Sequence, residues 1–162
     1  MTSILNWLKN KLIDPKHGII IDSYDSNSFD IIQDFLEGCD RQFKTSAIYY
    51  QAFPEESALD FLNTLEEELS SKLQKHASQS QQSLASIIKE AELKIVIIDR
   101  CHLHPQDTTQ NLIDFFSVCG VTVVLVGYRE QMAIAKVLSN PKFSAWDKLE
   151  VAEQCECIPE LR

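Results

Sequence analysis

The stretch VIIDRCHLH, residues 96–104, decides how this chain is read. Three aliphatic residues, Val96, Ile97 and Ile98, run into Asp99. That order describes a strand buried on both faces, with a carboxylate delivered at its end. Such strands serve magnesium–nucleotide sites, and there the next residue is a second acid that activates water. Here it is Arg100, which keeps its proton to a pH above about 12 and cannot act as a base near neutrality. Strand and chemistry part company at that residue.

Working outward, apolar strands alternate with helical patterns. Residues 3–13 place Ile4, Trp7, Leu8, Lys11 and Leu12 at helical spacing, ended before Pro15. GIIID (18–22) reads as a buried strand and SYDSNS (23–28) as a turn-rich loop. FDIIQDFLEG (29–38) reads as a helix closed by Gly38. TSAIYYQA (45–52) is β-branched and aromatic, a second strand. From Pro54 a helical stripe runs through Leu59, Phe61, Leu62, Leu65 and Leu69. KHASQSQQS (75–83) is polar and of low complexity, which predicts a mobile segment, and LASIIKEAE resumes the helix. KIVIID (94–99) is the third strand and TTQNLIDFFSVCG (108–120) a helix closed by Gly120. VTVVLVG (121–127) is the fourth strand, REQMAIAKVL (129–138) a helix, and KLEVAE (148–153) a last short strand. This alternation predicts a single α/β domain over 1–162, with an N-terminal helix within 1–16 and a mostly parallel sheet covered on both faces.

Composition narrows the function classes. A formal net charge of −9 argues against a nucleic-acid footprint, which rests on Lys and Arg neutralising phosphates. No apolar run reaches the roughly 18–20 residues of a membrane span. The amphipathic N-terminus lacks a small-residue cleavage site, so a cytoplasmic protein is expected. Five cysteines, at 39, 101, 119, 155 and 157, form no CxxC pair and read as reduced thiols.

The second half carries a resemblance. An apolar strand ends in Asp99, a helix follows, and a second apolar strand ends in Gly127 within LVGYREQM; NPKFSAWDKLEV comes next. This order resembles the AAA+ ATPases, and within them the transposition-regulator ATPases of the TniB type. There the text runs as a strand with Asp-Glu-Ala-His, a helix, a strand ending in Gly-Thr, a short helix and an Asn/Asp-Pro turn. The likeness is clearest over 93–152 and stays in register from residue 18. It implies a three-layer P-loop NTPase-like domain with a five-stranded, mostly parallel sheet. The Asp99 and Gly127 strands would be inserted between the first and second. With the sequence ending at Arg162, no helical lid is expected.

The resemblance also demands a phosphate loop, GxxxxGK[ST], after the first strand. The matching window is SYDSNSFD (23–30). Ser23 and Ser28 stand at the two glycines, Phe29 at the lysine and Asp30 at the Ser/Thr. A phosphate there would lose its cation and meet Asp25 and Asp30, a like-charge cost of several kcal/mol in a partly desolvated site. Asp99 takes the position of the magnesium-linked acid and Arg100 that of the catalytic glutamate. Tyr128 stands where a polar residue senses the γ-phosphate, and Trp146 lies near a Ser-Arg finger. The implied molecule has no catalytic residues, cofactor or metal. It is a pseudo-ATPase acting through protein contacts, as an interaction or regulatory module. Its partners would be an active ATPase, a transposase or further copies of itself, with no nucleic acid and no membrane. Two other readings stay open. One is a nucleotide-binding ATPase with an altered phosphate loop. The other is a flavodoxin- or receiver-like domain, which Asp22 with Asp25 would suit and which sheet order separates.

Individual side chains carry further alternatives. Asp99 is an anchoring carboxylate or a residual metal ligand. Arg100 is a solvated arginine, an ion-pair partner of Asp25 or Asp30, or a group acting on a partner. Cys101, His102 and His104, with Cys155 and Cys157, lack zinc-ligand spacing, so no metal is assigned; Cys101 as a nucleophile lacks an orienting third group. Trp7, Leu8 and Leu12 face a partner or the domain itself. The vacated phosphate site is expected to close, with Ser26 or Asp25 capping the helix and Phe29 packed into the core.

Overall fold

The computed structural model describes residues 3–23, 28–43, 46–72, 83–129 and 145–151. Five strands form one sheet: β1 (Gly18–Asp22), β2 (Ala47–Gln51), β3 (Ile95–Asp99), β4 (Thr122–Tyr128) and β5 (Asp147–Glu150). Their order is β2-β3-β4-β1-β5, and every neighbouring pair is parallel. β3 and β4 are thus inserted between β1 and β2, as the ATPase-type arrangement requires. A flavodoxin-like sheet would set β1 beside β2.

The strands are apolar on both faces because both faces are covered. Ile20, Ile95, Ile97, Val124 and Val126 point to one side, with α1 (Ile4–Ile13) and α2 (Ser28–Phe43). Ile19, Val96, Ile98, Val123 and Leu125 point to the other, with α3 (Ala58–Lys72), α4 (Leu84–Ala91) and α5 (Gln106–Val118). The result is three layers. Among the described residues there is no helical lid, and no helix is long and apolar enough to cross a membrane.

Trp7 and Leu8 bury against the domain's own sheet, which settles the two readings of α1. The fit is close: a Cβ on Gly18 would lie 2.4 Å from the Trp7 ring. Lys11, 3% exposed, pairs with Asp147 and lies 4.5 Å from the indole centroid. α1 thereby ties to the start of edge strand β5.

Several boundaries differ from the sequence reading. α2 runs through Gly38 to Phe43, because its buried stripe of Ile32 and Phe35 continues to Cys39. α3 begins at Ala58 and not at Pro54. Pro54 and Glu55 form a turn, Glu55 at φ 60°, and the Ser57 hydroxyl accepts the Asp60 N–H at 3.1 Å. Leu59 is exposed and leaves the stripe to Phe61, Leu65 and Leu69. Gly120, at φ +74°, closes α5 as expected. Residues 75–82 and the expected helix from 130 to 138 lie outside the described residues, as does the strand extension to 153.

Candidate functional site

In a parallel sheet the βα loops gather at the carboxyl ends of the strands, and side chains from distant parts of the chain meet there. Here that end collects Asp22 from β1, Asp99 from β3, Tyr128 from β4, Tyr49 from β2 and the first turn of α2.

Asp99 sits at the centre and is 4% exposed. One carboxylate oxygen accepts the Tyr128 hydroxyl at 2.9 Å and the Arg100 backbone N–H at 2.8 Å. The other accepts the Tyr49 hydroxyl. Three of its roughly four acceptor positions are thus taken by the protein itself. Both phenols are held well above the ordinary tyrosine range, by burial first and by Asp99 in addition. They remain protonated donors.

Asp22 is fully buried. It accepts the Ser23 N–H at 2.8 Å and the Ser28 hydroxyl. Ser28, which the resemblance sets at the second glycine of a phosphate loop, therefore faces the protein's own carboxylate. It lies 4% exposed on the same stripe as Ile32, Phe35 and Cys39.

Phe29 does not pack into the core. It is 51% exposed, and its ring meets Tyr49 edge-on at 5.6 Å. The buried stripe 28-32-35-39 follows i, i+4, i+7, i+11, which places position 29 to one side of it. Asp30 is exposed in the first turn of α2. The capping role expected of Asp25 or Ser26 falls outside the described residues.

Arg100 adopts a left-handed conformation, φ 54° and ψ 45°, ahead of a short 3-10 turn at Cys101–Leu103, with an exposed side chain. No ion pair joins it to Asp30 among the described residues. His102 is half-buried and edge-on to Tyr128 at 6.3 Å. Burial, and then Arg100, hold its pKa below the usual histidine value. Cys101 is buried, which pushes its thiol up to about 12 and removes it as a nucleophile near neutrality.

His104 points elsewhere. Its ring pairs with Glu56 at 2.7 Å in a buried network. Glu56 also accepts the Tyr50 hydroxyl at 2.6 Å, and its carbonyl accepts the Thr108 hydroxyl at 2.6 Å. This network fastens the β2–α3 loop to the β3–α5 loop. Sequence reading missed it because Glu56 and His104 lie in separate loops that only the fold brings together. Among the described residues no group of three His, Cys, Asp or Glu side chains is placed to hold a metal; Cys155 and Cys157 lie outside them. Trp146 stands at the amino end of β5, its ring 5.1 Å from His17, at the opposite end of the sheet from Asp99.

No family model and no curated protein matches the chain. Among solved structures, it resembles Cdc6p from Pyrobaculum aerophilum, with a TM-score of 0.60 and 13% identity over 95% of this chain. The chain spans 45% of that protein's length. At that identity the likeness concerns the fold alone, and it agrees with the strand order: an α/β domain of the P-loop NTPase-like fold.

Proposed function

We propose that this is a nucleotide-free AAA+-like module of the cytoplasm that works through protein contacts, in the manner suggested by its resemblance to TniB-type regulators. It would join, cap or block an assembly made by an active ATPase, a transposase or its own copies. The observation that carries this reading is the state of Asp99. The carboxylate at the magnesium position is held by Tyr49, Tyr128 and the Arg100 N–H. Recruiting it to a metal–nucleotide complex would take this acceptor from two part-buried phenols, at about 1–3 kcal/mol each. The vacated phosphate loop adds to this. Its Ser28 hydroxyl is committed to Asp22, and an aromatic ring stands where a phosphate needs a cation. Arg100 supplies no base.

Titration calorimetry with ATP and ADP in the presence of magnesium tests the proposal. At sub-millimolar nucleotide no binding heat and no phosphate release are expected. Saturable micromolar binding would overturn it. Hydrolysis that disappears in Asp99→Ala would do so more decisively, since it would assign that residue the role denied to it here.

A further inference from the structure

Among the described residues the sheet ends at β2, which pairs with β3 and with no second strand. The Ser46 carbonyl accepts the N–H groups of Lys94 and Ile95, and the Ala52 N–H donates to the Asp99 carbonyl. In a parallel ladder the backbone groups of alternate residues face the same side. Even-numbered residues of β2 therefore face β3, and Ala47, Tyr49 and Gln51 turn their N–H and C=O outward. Ala47 is buried, and the Phe53 N–H beyond the strand is taken by Glu56 at 3.5 Å. Tyr49 is half-buried and Gln51 exposed. Their outward backbone groups have no hydrogen-bond partner among the described residues. Edges are normally blunted by lysine, proline or a bulge; AIYYQ carries none of these.

The surroundings of this edge are specific. A cavity of about 230 Å³ lies along it, between Leu36 and Glu37 of α2 and Glu68 and Lys72 of α3. Beyond it the half-exposed Phe29 ring leans on Tyr49. On the α2 side the apolar surface is Leu36 with the Phe29 ring, beside Gln33 and Glu37; across the cavity as a whole two glutamates stand against one lysine, on a chain of net charge −9.

We propose that the β2 edge at Tyr49–Gln51 receives an extended segment of a partner protein as a sixth strand, bearing an apolar residue next to a basic one. Main-chain bonds to Tyr49 and Gln51 fix the segment. Successive strand residues point to opposite faces. The apolar residue therefore meets Phe29 and Leu36, and its basic neighbour meets Glu68. Charge decides against a second copy of the chain as occupant: pairing β2 with itself about a two-fold axis would set the same acidic helices against each other. This inference rests on the proposed function only in taking the partner to be a protein.

A displayed library of random heptapeptides, selected on the intact chain, supplies the probe. Enriched sequences should carry adjacent apolar and basic residues, and the synthetic peptide should bind with a measurable Kd. Gln51→Pro removes an outward donor and leaves the β2–β3 ladder whole, so it should weaken binding at least about tenfold. N-methylation of alternate peptide backbone nitrogens should do the same. Glu68→Lys, on a partly exposed helix position, should weaken binding even if Gln51→Pro fails to fold. No enrichment, or peptides indifferent to Glu68→Lys and to N-methylation, would overturn the proposal. So would dimerisation in sedimentation experiments that Gln51→Pro abolishes, because it would assign the edge to a second copy. Nucleotide binding would count against the proposed function and leave this edge untouched.

Discussion

Asp99 gives the sharpest residue-scale test, because one carboxylate cannot serve both a metal–nucleotide complex and two phenols. If it is an anchor, Asp99→Ala removes the shared acceptor of the Tyr49 and Tyr128 hydroxyls and lowers stability by about 1–3 kcal/mol or more. Tyr128→Phe should cost about 1.5–3 kcal/mol, as the loss of a bond to a charged acceptor. Urea unfolding of the three proteins measures this, and an unchanged midpoint in Asp99→Ala would remove the anchoring role. The same contacts set an alkaline limit. Both phenols lie above their ordinary value of 10 in the folded chain. Above that pH the unfolded chain gives up protons the folded chain keeps. Stability is therefore intact below pH about 10 and falls as pH rises past it, less steeply in Tyr128→Phe. How far the site could be read from sequence also shows at this scale. Phe29, Asp30 and Arg100 are visible as letters that depart from the motif the resemblance implies. The destination of Phe29 was not read correctly, although the spacing of Ser28, Ile32, Phe35 and Cys39 already put Ser28 on the buried stripe. The clamp on Asp99 could not be read at all, since Tyr49 lies 50 residues away and nothing local specifies which acid its hydroxyl meets.

Among the elements, strands were more legible than helix ends. β1, β3 and β4 are uninterrupted apolar runs because both faces are covered, a signal that survives in sequence without any knowledge of neighbours. Helix ends depend on finer balances. Gly38 costs α2 only about 0.5–1 kcal/mol, less than the apolar stripe around it returns, so the helix passes through. The packing of α1 on β1 yields a prediction of its own. Gly18→Ala would put a Cβ 2.6 Å or less from two atoms of the Trp7 ring, with the Asp147 carbonyl 3.2 Å away. Overpacking at such a site should cost about 1–3 kcal/mol by denaturant midpoint. Between β1 and β4, His17 accepts the Val123 N–H on Nδ1 at 2.9 Å, and its Nε2 meets the Ser117 hydroxyl at 2.9 Å. That arrangement needs the neutral ring. Burial, and then Lys11, lower its pKa below 6.5. As pH drops through about 6.5 the unfolded chain takes up a proton that the folded chain refuses, so stability is full above that value and declines below it. His17→Asn, whose side-chain oxygen can still accept from Val123, should flatten this decline in unfolding midpoints measured on either side of pH about 6.5.

For the whole molecule, strand order is what separates the ATPase-type arrangement from other parallel sheets, and hydrophobic periodicity carries no strand order. It was legible only through the resemblance across residues 93–152, and the sheet has that order. The same order places the two windows that the resemblance singles out on different strands, with β4 between them: residues 23–30 after β1 and the Asp99–Arg100 pair at the end of β3. Rewriting one leaves the other. Ser23→Gly, Ser28→Gly, Phe29→Lys and Asp30→Thr together would rewrite the first site with the letters of a phosphate loop. Ser28→Gly removes the hydroxyl that Asp22 accepts, leaving a fully buried carboxylate with one fewer donor and an expected cost of about 1.5–3 kcal/mol. Phe29→Lys should contribute little, because that ring is already half in solvent. The quadruple variant should therefore melt below the parent and still release no phosphate from ATP, since Arg100 remains unable to take a proton from water and Asp99 remains clamped by its tyrosines. A thermal melt and a phosphate-release assay on the same preparation decide the matter. A variant as stable as the parent that turns over ATP would show that the fold kept its chemistry in reserve, and the reading of this domain as a committed pseudo-ATPase would fail.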